Sequence, residues 1–117
     1  MRVILDHSVP NKLRSFLPEH SVETAYERGW AALKNGELLK AIAGEGFQVF
    51  VTADQNLRHQ QNLSSIPFGI IVLGTNIWPL IAAHPAKVAS AVAAAGAGQV
   101  AYVEYPRPPL VRRPQPN

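Results

Sequence analysis

The chain has 117 residues, 47% of them hydrophobic and 16% charged, with a formal net charge of +3, which predicts one globular domain rather than a disordered chain. Because there is no cysteine, disulfide frameworks, thiolate zinc sites and cysteine nucleophiles are excluded. No apolar run is long enough for a signal peptide or a membrane span, so we expect a cytoplasmic protein with no membrane association.

The first predicted strand, Arg2–Leu5, is a short apolar run that stops on Asp6. A helix is predicted over residues 9–17, because its apolar residues recur at helical spacing. Ser8 is the expected N-cap of this helix, and Pro10 suits its first turn.

A second short strand is predicted at Ser21–Thr24, followed by an irregular segment that packs on the core around Trp30. The next helix is expected to begin with Asn35 as its cap. Glu37 then lies in the first turn, where a negative charge suits the helix dipole. Residues 44–46, Gly-Glu-Gly, end this helix.

The apolar, β-branched run at residues 49–51 predicts a strand that is buried on both faces. The strand gives way to the polar residues Thr52 and Asp54, and a short helix is expected over residues 55–62. If this strand and the first one are parallel neighbours, Asp6 and Asp54 face one crevice at the carboxyl edge of the sheet, where open α/β sheets bind ligands.

In the second half, residues 68–73 predict another buried strand. An Ala-rich helix follows over residues 77–95, with interruptions at Pro79 and Pro85. Residues 100–105 alternate apolar and polar side chains, as an edge strand does. Strands separated by helices predict a three-layer α/β/α sandwich with a mostly parallel central sheet.

Carboxylates at neighbouring strand ends predict a site for Mg²⁺ or Mn²⁺, because these hard cations prefer oxygen ligands. Asp6 and Asp54 are the expected ligands, and Glu37 is a third candidate. The alternative for each Asp is that it caps the segment that follows it, and Glu37 has the alternative role of complementing the helix dipole. The four histidines lack the spacing of a zinc motif.

Basic residues near the two acids are candidates for binding phosphate groups of a substrate. They are Lys12, Arg14 and Arg58. The alternative is that each simply faces solvent.

Two stretches resemble the short bacterial PIN-like domains often encoded as toxins beside antitoxins. They are ILDHSVP at residues 4–10 and HSVETAYERGWAALKNGELLKAIAGEGFQVFVTADQNL at residues 20–57. In that family a first strand ends in Asp and is followed by a polar pair and Pro. A Gly-Trp segment leads to an acidic helix start, and a later strand ends in Thr-x-Asp. The resemblance covers about residues 1–80.

The resemblance implies a PIN-like domain at residues 1–105. Residues 106–117 are expected to be a flexible tail rich in Pro and Arg, because five of these twelve residues are proline. The resemblance also implies RNA cleavage that depends on Mg²⁺ or Mn²⁺, with Asp6, Glu37 and Asp54 as catalytic acids. The chain departs from the family at two places, since His7-Ser8 replace a common Glu-Asn pair and Asn35 replaces a common Asp.

The leading hypothesis is therefore a metal-dependent endoribonuclease of PIN-like type, acting on RNA as the toxin of a toxin–antitoxin pair. The alternative is a catalytically weak or inactive PIN-like module that binds a protein or RNA partner, which Asn35 and the basic tail favour. A phosphoacceptor receiver domain also places Asp at strand ends, but His7-Ser8 fits its paired acids poorly. The Ala-rich helix, Trp78 and the last strand offer surface for a homodimer.

Overall fold

A computed structural model of the chain describes residues 1–57 and 63–106. Within these residues the chain forms five β-strands, three α-helices and two short 3₁₀ helices. In chain order they are β1 (Arg2–Leu5), a 3₁₀ helix (Asn11–Phe16), β2 (Ser21–Thr24), α1 (Asn35–Gly44), β3 (Val49–Thr52), a 3₁₀ helix (Leu63–Ser65), β4 (Gly69–Leu73), α2 (Trp78–Ala82), α3 (Pro85–Ala94) and β5 (Val100–Val103).

The five strands form one sheet in the order β2-β1-β3-β4-β5, and every neighbouring pair is parallel. Leu5 of β1 lies opposite Val51 of β3 and Thr24 of β2. The prediction of an α/β fold with a parallel central sheet is confirmed, as is the expectation that the strands before Asp6 and Asp54 are neighbours.

Successive residues of the central strands enter two separate cores, one on each face of the sheet. On one face, side chains from alternate strand positions pack against the first 3₁₀ helix, α2 and α3. On the other face, the intervening positions pack against α1 and the 3₁₀ helix before β4. Every residue of β3 and β4 is buried. Strands that are covered on both faces have nearly continuous apolar sequences, as these two strands do.

The strand order reverses direction between β1 and β3. The chain leaves β1 toward β2 on one side, and it leaves β3 toward β4 on the other. In open α/β sheets the carboxyl ends of the strands at such a switch point border a crevice that binds ligands. Asp6 is the first residue after β1, and Asp54 is the second residue after β3.

The helices differ from the predictions at residues 9–17 and at the N-cap of α1. The segment predicted as a helix over residues 9–17 is a 3₁₀ helix with Pro10 at its N-cap, so the assignment of Ser8 as the cap is wrong. Helix α1 begins at Asn35 with Lys34 as its N-cap, one residue before the predicted cap.

The Ala-rich segment is two helices, with a break at Pro85, one of the two positions where an interruption is predicted. His84 precedes Pro85 and has φ −137° and ψ 64°, because the proline ring disfavours helical backbone in the residue before it. Pro79 lies in the first turn of α2, where proline is tolerated. None of the helices in the described part of the chain is long and apolar enough to cross a bilayer.

Candidate catalytic centre at the carboxyl edge of the sheet

Asp6 is the first residue after β1, and its backbone still belongs to the sheet. Its N–H donates to the carbonyl of Val51 over 2.9 Å, and its carbonyl accepts the N–H of Val9 over 3.0 Å. The residue is 7% exposed. Burial of a carboxylate is costly unless hydrogen bonds replace the lost water, so the surroundings of this side chain decide whether it is tolerated.

Three hydrogen-bond donors and the His7 imidazole surround the Asp6 carboxylate. Oδ1 accepts the backbone N–H of His7 over 2.9 Å and lies 3.1 Å from His7 Nδ1. Oδ2 accepts the Ser8 and Thr52 hydroxyls, each over 2.8 Å. An ionised carboxylate offers about four acceptor positions, so the three donors occupy most of its capacity and the imidazole lies beside the rest.

The two hydroxyls also hold the turn that follows β3. Ser8 Oγ accepts the N–H of Ala53 over 3.1 Å, and Thr52 Oγ1 accepts the N–H of Asp54 over 3.1 Å. Each hydroxyl therefore donates to the Asp6 carboxylate and accepts from the backbone beside Asp54. Asp6 and Asp54 are consequently linked through a short hydrogen-bond network.

Asp54 is half-buried, and its side chain organises the turn after β3. Its Oδ1 accepts the N–H of Asn56 over 2.9 Å, the arrangement of an Asx turn. Gln55 extends across the edge of the sheet and donates from Nε2 to the carbonyl of Leu73 at the end of β4. The capping role considered for Asp54 is therefore present, and the turn is tied to the neighbouring strand.

Glu37, the third predicted acid, is exposed on α1. It lines a pocket of about 450 Å³ between α1 and the segment before β4, together with Lys40 and Ile66. Among residues 1–57 and 63–106, no three His, Asp or Glu side chains are arranged to hold a metal ion. The structure thus links Asp6 with Asp54 but gathers no three-acid centre, and the role of Glu37 stays a prediction.

The three predicted phosphate-binding residues have different settings. The Lys12 ammonium lies 5.9 Å from the centre of the Trp78 ring. The Arg14 guanidinium pairs with the Glu27 carboxylate, which also accepts the backbone N–H of Thr24 over 2.9 Å. Arg58 falls outside the described residues, as do most of the helix predicted over 55–62 and the tail from 107 onward.

Three residues of this centre were missed by sequence reasoning as functional groups. Ser8 was assigned to a helix cap, Thr52 to a polar strand end, and Gln55 to a helix. A usable signal was present for two of them, because Ser8 and Thr52 are small hydroxyl residues beside the two acids, and a buried carboxylate needs such donors.

The candidate metal ligands at this edge are carboxylate and hydroxyl oxygens, which suit a hard cation such as Mg²⁺ or Mn²⁺. Two carboxylates are present, and Mg²⁺ is commonly held by one or two carboxylates together with water and substrate phosphates. The residues therefore fit the predicted cation in ligand type, with a small number of protein ligands.

No family model, no curated protein and no solved structure matches this chain. The resemblance to PIN-like domains therefore stays a prediction from the motifs.

Proposed function

We propose that the protein is a ribonuclease of PIN-like type that depends on Mg²⁺ or Mn²⁺ and uses Asp6 and Asp54. The observation that supports this proposal is the placement of both acids at the carboxyl ends of adjacent parallel strands, at the switch point of the sheet. The Thr52 hydroxyl bonds to the Asp6 carboxylate and to the backbone N–H of Asp54.

In this proposal Asp6 and Asp54 hold the cation, with water and a substrate phosphate completing its coordination. When bound, the cation would lower the pKa of a water molecule and stabilise charge on the phosphate that is attacked. In this proposal the chain's own side chains and backbone hold the two carboxylates in a fixed orientation. The hydroxyls of Ser8 and Thr52 orient the Asp6 carboxylate, and the N–H of Asn56 orients that of Asp54.

In this proposal Lys12 is the residue that binds a substrate phosphate. It follows Asp6 by six positions in the chain, and two consecutive turns keep the segment compact, Val9 N–H to Asp6 O and Leu13 N–H to Pro10 O, each 3.0 Å. Arg14 is committed to Glu27 instead. A toxin role and an antitoxin partner rest on the resemblance alone.

A second candidate function is a catalytically weak or inactive module that binds a protein or RNA partner. The observation that favours it is that the Asp6 carboxylate accepts three hydrogen bonds and lies 3.1 Å from the His7 imidazole nitrogen. A cation could reach this carboxylate only if a neighbour such as the His7 imidazole moved away. In this alternative Asp6 and Asp54 act as structural acids that shape the turns after β1 and β3.

A metal titration of the melting temperature separates the two candidates. Asp54→Asn is the better variant, because an Asn side-chain carbonyl can still accept the N–H of Asn56 while its negative charge is lost. Asp6→Asn would place an amide donor among existing donors and disturb the fold. Glu19→Gln, an exposed acid away from the carboxyl edge, is the matched control for charge removal.

Under the ribonuclease proposal, Mn²⁺ or Mg²⁺ raises the melting temperature of the wild type and of Glu19→Gln but not of Asp54→Asn. A ligand at about a hundred times its dissociation constant stabilises by roughly 2.7 kcal/mol, which corresponds to a shift of several degrees. The wild type and Glu19→Gln should cleave labelled RNA and Asp54→Asn should not. A chelator should stop the cleavage. If all three proteins melt alike at millimolar metal and leave RNA intact, the binding module is the better description.

A further inference from the structure

A stacked aromatic pair with an adjacent cation lies on the face of the sheet covered by the first 3₁₀ helix and α2. The rings of Phe16 and Trp78 have centroids 5.2 Å apart and planes inclined by 16°. The Lys12 ammonium is 5.9 Å from the Trp78 ring centre. Both aromatic rings are half-buried and pack against the core below them. We call these three residues the Lys12–Trp78 platform.

The connections of the chain bring this platform to the same edge of the sheet as the two acids. Lys12 belongs to the helix that follows the Asp6 turn, and Trp78 is the first residue of α2, just after the end of β4. The end of β4 is tied to the Asp54 turn by the bond from Gln55 Nε2 to the Leu73 carbonyl. The platform is therefore connected by short segments to the carboxyl ends of β1 and β4, at the edge of the sheet where Asp6 and Asp54 lie.

We infer that the Lys12–Trp78 platform binds single-stranded RNA, with a base stacked on Trp78 and the neighbouring phosphate bound by Lys12. This inference rests on the proposed function and names the form of its substrate. An aromatic ring beside a basic side chain is the combination by which proteins bind single strands, because every base has a π face and every nucleotide carries a phosphate.

The present position of Lys12 is consistent with this use. Phe16 lies against the indole of Trp78, and the ammonium of a long, exposed side chain lies over the same ring. An exposed cation–π contact is weaker than base stacking on an aromatic ring. A base can therefore replace the ammonium on Trp78, and the ammonium then gains a phosphate as its partner.

The second tryptophan of the chain provides a matched control. Trp30 packs edge-on against Phe47 in the core on the opposite face of the sheet, with ring centroids 6.1 Å apart. Since the chain has two tryptophans, Trp30→Phe leaves Trp78 as the single emitter, and Trp78→Phe leaves Trp30. The two variants report separately on the platform and on a site remote from it.

The first experiment titrates each single-tryptophan protein with a single-stranded RNA of about ten nucleotides in the presence of EDTA. Binding is then measured without any metal-dependent cleavage. The expected result is that RNA quenches the fluorescence of Trp78 in Trp30→Phe and leaves that of Trp30 in Trp78→Phe unchanged. Equal quenching in both proteins, or quenching in neither, would overturn the inference.

The second experiment measures the affinity of the full chain for labelled RNA by fluorescence anisotropy, again with EDTA. Trp78→Leu keeps an apolar contact with Phe16 but removes the π face, and it should bind about tenfold more weakly than the wild type. Lys12→Gln should reduce the dependence of log K on log salt by about 0.7, the value for one phosphate on a single strand. Affinities and salt slopes equal to those of the wild type in both variants would reject the platform.

The two proposals can fail independently. Binding through Trp78 without cleavage in Mn²⁺ or Mg²⁺ would retain the platform and reject the ribonuclease. Cleavage that is abolished by Asp54→Asn but is indifferent to Trp78→Leu would retain the ribonuclease and reject base stacking on the platform.

Discussion

The Thr52 hydroxyl donates a hydrogen bond to the Asp6 carboxylate over 2.8 Å, although the two residues are 46 positions apart in the chain. Both side chains are buried, with 1% of Thr52 and 7% of Asp6 exposed. The same hydroxyl accepts the N–H of Asp54. One side chain of β3 therefore bonds both to the Asp6 carboxylate and to the backbone of Asp54.

Thr52→Val should destabilise the protein by about 1–3 kcal/mol, because the valine has nearly the same shape but cannot bond to the buried carboxylate or to the N–H of Asp54. Urea denaturation should show a lower midpoint with an unchanged m-value. Ser90→Ala, which removes an exposed hydroxyl from α3, is the control and should change stability by no more than about 0.5 kcal/mol. Equal midpoints for wild type and Thr52→Val would show that the hydroxyl does not contribute.

The strands and the two acids at their ends could be predicted from the sequence, because their signals are local. The unbroken apolar run at residues 49–51 is typical of a strand that is covered on both faces, and β3 is buried throughout. Parallel strands with intervening helices then require Asp6 and Asp54 to lie at one edge of the sheet. The periodicity of the apolar residues and the direction of the strands are sufficient to place both acids at this edge.

The hydrogen bonds of the site could not be predicted in the same way, because they join distant parts of the chain. Ser8 has a suitable position for a helix cap, but its hydroxyl is instead held between Asp6 and Ala53. The position of Glu37 depends on how α1 packs across the sheet, which local pattern does not determine. The break before Pro85 could be predicted from the sequence, because proline restricts the backbone of the residue that precedes it.

Gly98→Ala and Gly29→Ala together separate backbone strain from steric clash. Both glycines have φ +76°, a conformation that costs about 1–2 kcal/mol for a residue with a side chain. A Cβ on Gly98 would lie 2.6 Å from the Ser64 carbonyl oxygen, whereas a Cβ on Gly29 would meet no atom within 4 Å. Gly98→Ala should therefore lower the free energy of unfolding by at least about 1 kcal/mol more than Gly29→Ala does.

Chemical denaturation of the two glycine variants measures this difference directly. Gly44→Ala is a useful third variant, because Gly44 ends α1 with open space around it and no positive φ. It should stabilise the protein by about 0.5–1 kcal/mol through helix propensity. Equal losses at positions 29 and 98 would mean that the segment around Gly98 moves away from Ser64 at no cost.

Glu27 should make stability depend on pH in the acidic range. The backbone N–H of Thr24, and after it the Arg14 guanidinium, lower the pKa of Glu27 below its ordinary value of 4.5. Because the pKa is lower in the folded state, the carboxylate stabilises the fold above the ordinary pKa, and this contribution is lost as the pH falls through the folded value. Glu27→Gln should therefore be less stable than the wild type near neutral pH, with the difference shrinking in acid.

Urea midpoints of the wild type and Glu27→Gln, measured near neutral pH and at about pH 3, test this sign. Glu19→Gln is again a suitable control, because it removes an exposed acid. A gap between wild type and Glu27→Gln that widens toward low pH would contradict the role assigned to the Thr24 and Arg14 contacts.

Tyr105→Phe should preserve or raise stability, because Tyr105 is 8% exposed and its hydroxyl has no hydrogen-bond partner within residues 1–57 and 63–106. Burial of such a group is costly, so its removal should raise the free energy of unfolding by about 1 kcal/mol.

A pH series tests the same site independently, because burial raises the pKa of Tyr105 above its ordinary value of 10.0. The unfolded chain then loses this proton first as the pH rises, so wild-type stability should decline above about pH 10, and the Phe variant should lack this part of the decline. Denaturation midpoints at about pH 8 and above pH 10 measure both effects. A loss of stability in Tyr105→Phe at the lower pH would show that the hydroxyl is hydrogen-bonded in solution, and the expected gain would show that its burial destabilises the fold.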